Sequence, residues 1–358
     1  MVAARLILPV AAGLLSWALT RGVRQYALAH AILDIPNSRS SHKLPTPRGG
    51  GLAIAVSSLT AIAACGWLGW VPARFAIGLV GGGALIAVVG LLDDRRSVPA
   101  AVRIAVQATA AGWALYWLGG MPKIAILSGS WVIGWAGTVL AVLGLVWATN
   151  LYNFMDGIDG IAGAEAVSVG LIGGLLLLLG HQPGLATIAF TVAAASGGFL
   201  VWNWSPAKIF MGDGGAGLLG FLFGALAVAS ENAHAVPAIT WVLLLGVFVF
   251  DATVTLARRV LRGDRWYRAH RSHAYQRAVQ AGWSHRRVTT AVVAINVGLG
   301  LLAWVGRTRP DSLVWTYVVA ALGLAVLYVR VGQVRPMKRE SGPSPLRASS
   351  IDDQSAQL

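Results

Sequence analysis

Between residues 150 and 163 the chain reads NLYNFMDGIDGIAG, placing Asn150, Asn153, Asp156 and Asp159 between two strongly apolar runs. Carboxylates beside a membrane core are costly and face a polar cavity, which makes this stretch a functional site by default. Gly157, Gly160 and Gly163 recur every third residue; glycine lets backbone approach a ligand closely and supplies positive φ. Asp156 and Asp159 have the i, i+3 spacing of neighbours on one helical turn. The plain alternative is a solvated interhelical turn with a capping Asp.

Four more clusters have the same character. In GLLDDRR, Asp93 and Asp94 are adjacent at the end of an apolar run. Such a pair repels itself, so it titrates upward, binds a metal or faces a cation; a surface pairing with Arg95 and Arg96 is the alternative. In WNWSPAKIFMGDGGAGLLG, Asp213 stands before a glycine-rich helix start. A helix N-terminus suits phosphate, and a hard carboxylate beside it suits Mg²⁺, whereas the simple reading is an N-cap. Phe210 is either a stacking platform for a base or a core residue.

The loop DIPNSRSSHKLPTPRGGG is held extended by three prolines and offers Arg39, His42, Lys43 and Arg48 to an anion; contact with anionic lipid also accounts for its charge. The last large loop, residues 258–287, carries nine Arg and three of the seven His. His270 and His273, i and i+3, are expected on one helix face beside Arg271. Zinc would need two further N or S ligands, and the lone Cys65 is in an apolar run, so a pyrophosphate grip by His and Arg is the better reading. Asp251, inside the ninth apolar run, lines the same cavity or pairs with an Arg.

The elements that must position these residues follow from composition. Hydrophobic residues make up 56% of the chain and charged ones 12%, with a mean hydropathy of +0.67; soluble domains carry about 25% charged residues. The fold class expected is an all-α polytopic membrane protein. Eleven apolar stretches, near 2–20, 50–70, 74–92, 101–119, 131–149, 164–180, 184–202, 214–230, 236–257, 288–306 and 312–330, each have the length to cross a ~30 Å hydrocarbon core. The first is read as retained, since it lacks a signal-peptide pattern. A net charge of +14 does not imply nucleic acid. With the first loop inside, 23 of the 28 Lys and Arg fall on the cytoplasmic side, so the N-terminus is expected outside and the C-terminus inside. Every cluster above then shares one membrane face. Residues 1–330 form one unit, and 331–358 read as a disordered tail.

Taken together, DIPNSRSSHKLPTPRGGG, GLLDDR, NLYNFMDGIDG, IFMGDGG and HRSHAY, in this order over nearly all of residues 1–330, resemble the polyprenyl-phosphate N-acetylhexosamine-1-phosphate transferases. That superfamily includes phospho-MurNAc-pentapeptide translocase and the enzymes initiating O-antigen synthesis. The resemblance implies attack by the phosphate of undecaprenyl or another polyprenyl phosphate on the sugar-linked phosphorus of a UDP-N-acetylhexosamine, releasing UMP. It implies Mg²⁺, with Mn²⁺ as a substitute, on Asp213 and Asn153. Asp93 and Asp94 position or deprotonate the lipid phosphate, and Asp156 lies near metal and diphosphate. Asn150, Gly157, Asp159 and Asn203 contact the nucleoside, Phe210 stacks on uracil, and His270, His273, Arg271 and Arg48 hold the diphosphate or sugar.

The spacing HRSHAY is closer to the O-antigen-like branch than to members with a tight His cluster, leaving N-acetylglucosamine, N-acetylfucosamine and N-acetylquinovosamine as donor sugars. A bacterial inner-membrane location is implied, and a homodimer is compatible with it. A transporter of an organic anion would use a similar basic cavity but predicts discontinuous helices and an internal repeat. A CDP-alcohol phosphotransferase would need further Arg and Asp at fixed spacing on consecutive helical turns, a set that the sequence after Asp159 lacks.

Overall fold

The computed structural model describes residues 2–36, 44–121, 123–126, 129–264 and 270–337. Arg39, His42 and Lys43 of the first loop, and residues 338–358, lie outside the described residues. The chain is an all-α membrane bundle. Its helices are α1 (Val2–Ala29), α2 (Gly51–Trp67), α3 (Ala73–Arg95), α4 (Ala100–Leu118), α5 (Gly134–Met155), α6 (Ile161–Leu179), α7 (Pro183–Asn203) and α8 (Asp213–Asn232). After them come α9 (Ala238–Leu244), α10 (Gly246–Leu261), α11 (Ala274–Gln280), α12 (His285–Thr308) and α13 (Leu313–Val334). Two small antiparallel ladders, Leu33–Asp34 with Thr46–Pro47 and Lys123–Ile126 with Gly129–Val132, complete it.

Each apolar stretch is helical. Among the described residues, eight helices have the length and apolarity of a membrane span, nine if α9 and α10 are counted as one. The ninth stretch, expected as one continuous helix, is bent by 82° between α9 and α10. Along α10, Asp251, Thr255 and Arg259 are buried while Val260 and Leu261 are exposed. The polar stripe turns toward protein and the apolar one outward, as a lipid surround requires.

The bundle is built around α8. Its sequence is apolar on every side, as expected of a helix buried all round, and it packs on α2, α3, α4, α5 and α7. Glycine makes two of these approaches feasible. A Cβ on Gly51 would strike the backbone of Gly215, and one on Gly90 the backbone of Gly214. Small residues at helix contacts let backbones close up where hydrophobicity gives no drive between helices. Here they draw the start of α2 and the end of α3 onto the start of α8, bringing together Arg48, Asp93, Asp94 and Asp213. Gly51→Val is expected to lower stability by about 1–3 kcal/mol through overpacking. An unchanged melting temperature in detergent would show that these backbones are not in contact.

Candidate active site

The first and fourth motifs meet through their backbones. Phe210 N–H donates to the Pro47 carbonyl at 2.8 Å, Gly50 N–H to Phe210 at 2.9 Å and Gly51 N–H to Met211 at 2.8 Å. Arg48, placed by this ladder, turns one Nη2 toward Asp94 Oδ1 at 2.8 Å and Asp213 Oδ1 at 2.7 Å. Burial works against the Arg48 charge, but Asp94 and Asp213 outweigh it and hold its pKa above the ordinary value. Asp94 Oδ1 also accepts the Asp213 N–H at 2.9 Å.

Asp213 is the first residue of α8, not its cap. Gly212, at φ +81, occupies the cap position, and a Cβ there would run into the Asp94 carboxylate. The Asp213 side chain is therefore free to face the arginines.

Asp93 accepts the Val98 N–H at 2.7 Å and is ion-paired with Arg103, whose Nη1 is also 3.8 Å from Asp213 Oδ2. Its partner is thus Arg103 rather than Arg95 or Arg96. Nothing singled out Arg103 beforehand; the signal was there, a lone Arg in the first turn of an apolar helix following Pro99.

Asp156 and Asp159 are not on one helical turn. Helix α5 stops at Met155, Asp156 is its C-cap, and Gly160 at φ +77 opens α6. Gly160 sets the turn into α6, since such a φ disfavours other residues. Asp159 Oδ2 lies 3.2 Å from both the Ala207 amide and His285 Nδ1, and its carbonyl accepts from Thr289 Oγ1 at 3.0 Å. Burial alone would push the Asp159 carboxyl up; His285 and the Ala207 amide outweigh it and hold the group below the usual carboxylate range. His285, at the start of α12, was counted only as loop charge from the sequence.

Asp156 shares its surroundings with the first cluster. Burial, then Asp213, Asp94 and Asp159, against the opposing pull of Arg48, push its carboxyl from 3.8 up to about 7. A raised carboxyl favours the protonated fold, so its contribution is complete below the unfolded value and is lost as pH rises through the folded one. In metal-free protein, the stability gained by Asp156→Asn over wild type is therefore expected to grow between pH 3.8 and about 7 and then level off. A gain independent of pH in thermal unfolding would contradict this environment.

The amide residues have partners already. Asn150 Nδ2 donates to Gln107 Oε1 at 2.6 Å, while Asn203, 2% exposed, accepts from Gly160 N–H at 3.0 Å and donates to the Ile209 carbonyl at 2.9 Å. Asn203 therefore clamps the third motif to the fourth. Asn153 is in the last turn of α5, and Phe210 is half-buried.

His270 and His273 do not share a helix face. His273 is the extended N-cap of α11, and His270 precedes it in irregular chain. The rings still come together, with centroids 4.9 Å apart. Among the described residues Asp251 pairs with no Arg: it accepts the amides of Ala274 at 2.8 Å and Tyr275 at 3.2 Å and lies 3.5 Å from His273 Nδ1. It thus anchors the HRSHAY segment. Tyr275 Oη donates to the Phe154 carbonyl at 3.0 Å, and a Cβ on Gly157 would collide with that hydroxyl. The fifth motif is thereby docked on the third, with the Arg271 carbonyl held by Gln280 at 2.9 Å.

Among the described residues no three His, Cys, Asp or Glu side chains are already gathered as a metal set. Asp94 Oδ2, however, is buried with no hydrogen-bond partner. Four carboxylates, Asp93, Asp94, Asp156 and Asp213, share two guanidiniums. Hard oxygens with surplus negative charge fit a divalent cation that prefers oxygen.

A sequence model described as glycosyl transferase family 4 matches residues 76–231, which contain the second, third and fourth motifs. The chain is similar to a probable undecaprenyl-phosphate N-acetylglucosaminyl 1-phosphate transferase of Bacillus subtilis, 29% identical over 76% of each chain. To a decaprenyl-phosphate N-acetylglucosaminephosphotransferase of Mycolicibacterium smegmatis it is 30% identical, over 93% of this chain and 88% of that protein. A phospho-N-acetylmuramoyl-pentapeptide-transferase of Moorella thermoacetica is 33% identical, over 60% of this chain and 73% of the relative.

Proposed function

The chain belongs to glycosyl transferase family 4, and from that premise we propose that it moves an N-acetylhexosamine 1-phosphate from a UDP-sugar to a polyprenyl phosphate, releasing UMP. The observation that carries this reading is Arg48, which joins Asp94 and Asp213 from two other motifs while Asp93 and Arg103 close the same cluster. Phosphoryl transfer asks a protein for positioning and charge neutralisation more than for covalent chemistry. This cluster is made of those two things.

The acceptor enters from the membrane. A cleft of about 300 Å³ is lined by Arg48, Asp94 and Arg95 together with Tyr26, Leu52 and Leu91, a mixture that suits a phosphate joined to an apolar chain. Near pH 7 the acceptor phosphate is ionised, so Asp93 and Asp94 act by fixing Arg103 and Arg48 around it rather than as obligatory bases. The donor lies over the break between α5 and α6. Gly157 and Asp159 face its nucleoside, Phe210 stacks on the base, and His270, Arg271 and His273 hold the diphosphate and sugar. Asn150 and Asn203, whose amides are already paired, shape this subsite rather than grip the ligand.

Asp213 and Asn153 would hold Mg²⁺, or Mn²⁺ in its place, and that ion supplies charge neutralisation on the diphosphate. Asp156 completes the negative surround. The donor sugar is an N-acetylhexosamine, and the product begins a lipid-linked surface glycan of O-antigen type at the cytoplasmic face of the inner membrane.

The test is UMP release by purified protein given polyprenyl phosphate, Mg²⁺ and UDP-linked N-acetylglucosamine, N-acetylfucosamine or N-acetylquinovosamine. Release requiring both lipid and metal is expected with one of these sugars. The bent α9–α10 pair is a feature transporters share; uptake of a UDP-sugar into vesicles with no UMP formed would favour that reading instead.

A further inference from the structure

Arg277 of α11 is 1% exposed, and among the described residues its Nε and Nη2 have no hydrogen-bond partner. A buried guanidinium left with donors unpaired is costly, so the group points to a missing acceptor. Its Nη1 reaches only the Arg335 carbonyl, at 3.4 Å, and its plane lies over Tyr328, 4.8 Å from the ring centroid. Arg258 lies over the same ring at 5.6 Å, and Arg262 donates to the Met337 carbonyl at 3.3 Å. Among the described residues, none of Arg258, Arg262 and Arg277 has a carboxylate within ion-pair distance. Asp251 is taken up by hydrogen bonds from Ala274, Tyr275 and Thr255. Arg258 and Arg277 thus share one aromatic ring, and among the described residues no carboxylate is ion-paired with either.

Tyr328 also lines an apolar cavity of about 290 Å³ between α10, α11, α12 and α13, walled by Phe250, Ile295, Leu324, Leu327 and Val334. The arginines and this cavity therefore meet at one residue. Charge at the end of the helices beside an apolar slot is the arrangement that seats a phosphate ester with a hydrocarbon chain.

We propose that Arg258, Arg262 and Arg277 form a second phosphate-binding site, apart from the transfer site, that takes the headgroup of an anionic phospholipid while the cavity beside Tyr328 takes its acyl chain. The site is wired to the chemistry through hydrogen bonds. Tyr328 Oη is 3.0 Å from Thr255 Oγ1, which donates to Asp251 Oδ1 at 2.9 Å, and Asp251 anchors α11. Occupancy firms the segment that docks on Phe154 and Gly157.

The test uses the full chain, purified in detergent and stripped of phospholipid, then titrated with phosphatidylglycerol, phosphatidylcholine or inorganic phosphate. Melting temperature and retained lipid, by native mass spectrometry, are the readouts. Phosphatidylglycerol is expected to bind and stabilise where phosphatidylcholine does not. Arg258→Gln and Arg277→Gln are each expected to weaken this about tenfold, the loss of one charge-assisted contact. Arg258 is half-buried, so its variant is informative even if Arg277→Gln does not fold. Asp213→Asn, in the transfer site, should bind phosphatidylglycerol as wild type does. Stabilisation by inorganic phosphate with no gain from phosphatidylglycerol would overturn the lipid assignment and leave a free-anion site. Equal responses to the two lipids, or wild-type binding by both Arg variants, would overturn the site altogether.

Discussion

Asp213→Asn is expected to cut UMP release by about 10²–10³-fold, the scale seen when one preorganised charge-stabilising group is removed from a reacting centre. The substitution keeps shape and one hydrogen-bonding oxygen but removes the charge. Asp213 begins α8, its carboxylate lies 2.7 Å from Arg48 and 3.8 Å from Arg103, and Gly212 takes over the capping role. A fold effect is thus expected to be small, and melting temperature in detergent provides the control. Donor affinity, read by uridine nucleotide binding, should change far less than turnover, because the nucleoside subsite is proposed at Gly157, Asp159 and Phe210. A loss below about tenfold with intact folding would remove Asp213 from the reacting phosphates.

Arg48 carries the second large effect. Its one Nη2 serves two carboxylates from different helices, so Arg48→Gln removes a phosphate-drawing charge and leaves Asp94 and Asp213 repelling each other. Turnover is expected to fall by about 10²-fold, since a misplaced group of this kind costs that much without touching the reacting bond. Arg48→Lys keeps the charge but not the planar guanidinium whose Nη2 reaches both carboxylates, and should recover only part of the loss. If Arg48→Gln turned over as fast as wild type, the joining of these motifs through Arg48 would have no catalytic meaning. Steady-state UMP release at saturating donor, with both variants checked for folding, decides it.

The apolar stretches were plain in the sequence because a bilayer demands about twenty apolar residues per crossing, and each became helical. What composition did not show was the break at Leu245, since both halves are apolar enough on their own and the bend is set by packing. The five motifs were visible as polar residues in costly places, and the structure brings residues from all of them to one end of the bundle. Local geometry was less predictable. The i, i+3 spacings of Asp156 with Asp159 and of His270 with His273 suggested helices, but Gly160 at φ +77 and the extended His273 are the caps at which α6 and α11 only begin.

Partners distant in sequence were missed for a similar reason. Arg103, His285 and Gln107 carry no motif of their own, and only the folded bundle sets them against Asp93, Asp159 and Asn150. Asp251 was read as lining a cavity or pairing with an Arg, yet its charge is spent on backbone amides of α11. A short helix start inside the protein is a partner that spacing along the chain does not reveal.

The central claim is that the bond broken lies between the two phosphates of the donor. UDP-N-acetylhexosamine labelled with ³²P in the sugar-linked phosphate, mixed with purified protein, polyprenyl phosphate and Mg²⁺, tests it in one extraction. The account predicts label in the lipid phase and unlabelled UMP in water. Label left in water as UDP, with sugar alone in the lipid, would show cleavage at the sugar carbon and contradict the account.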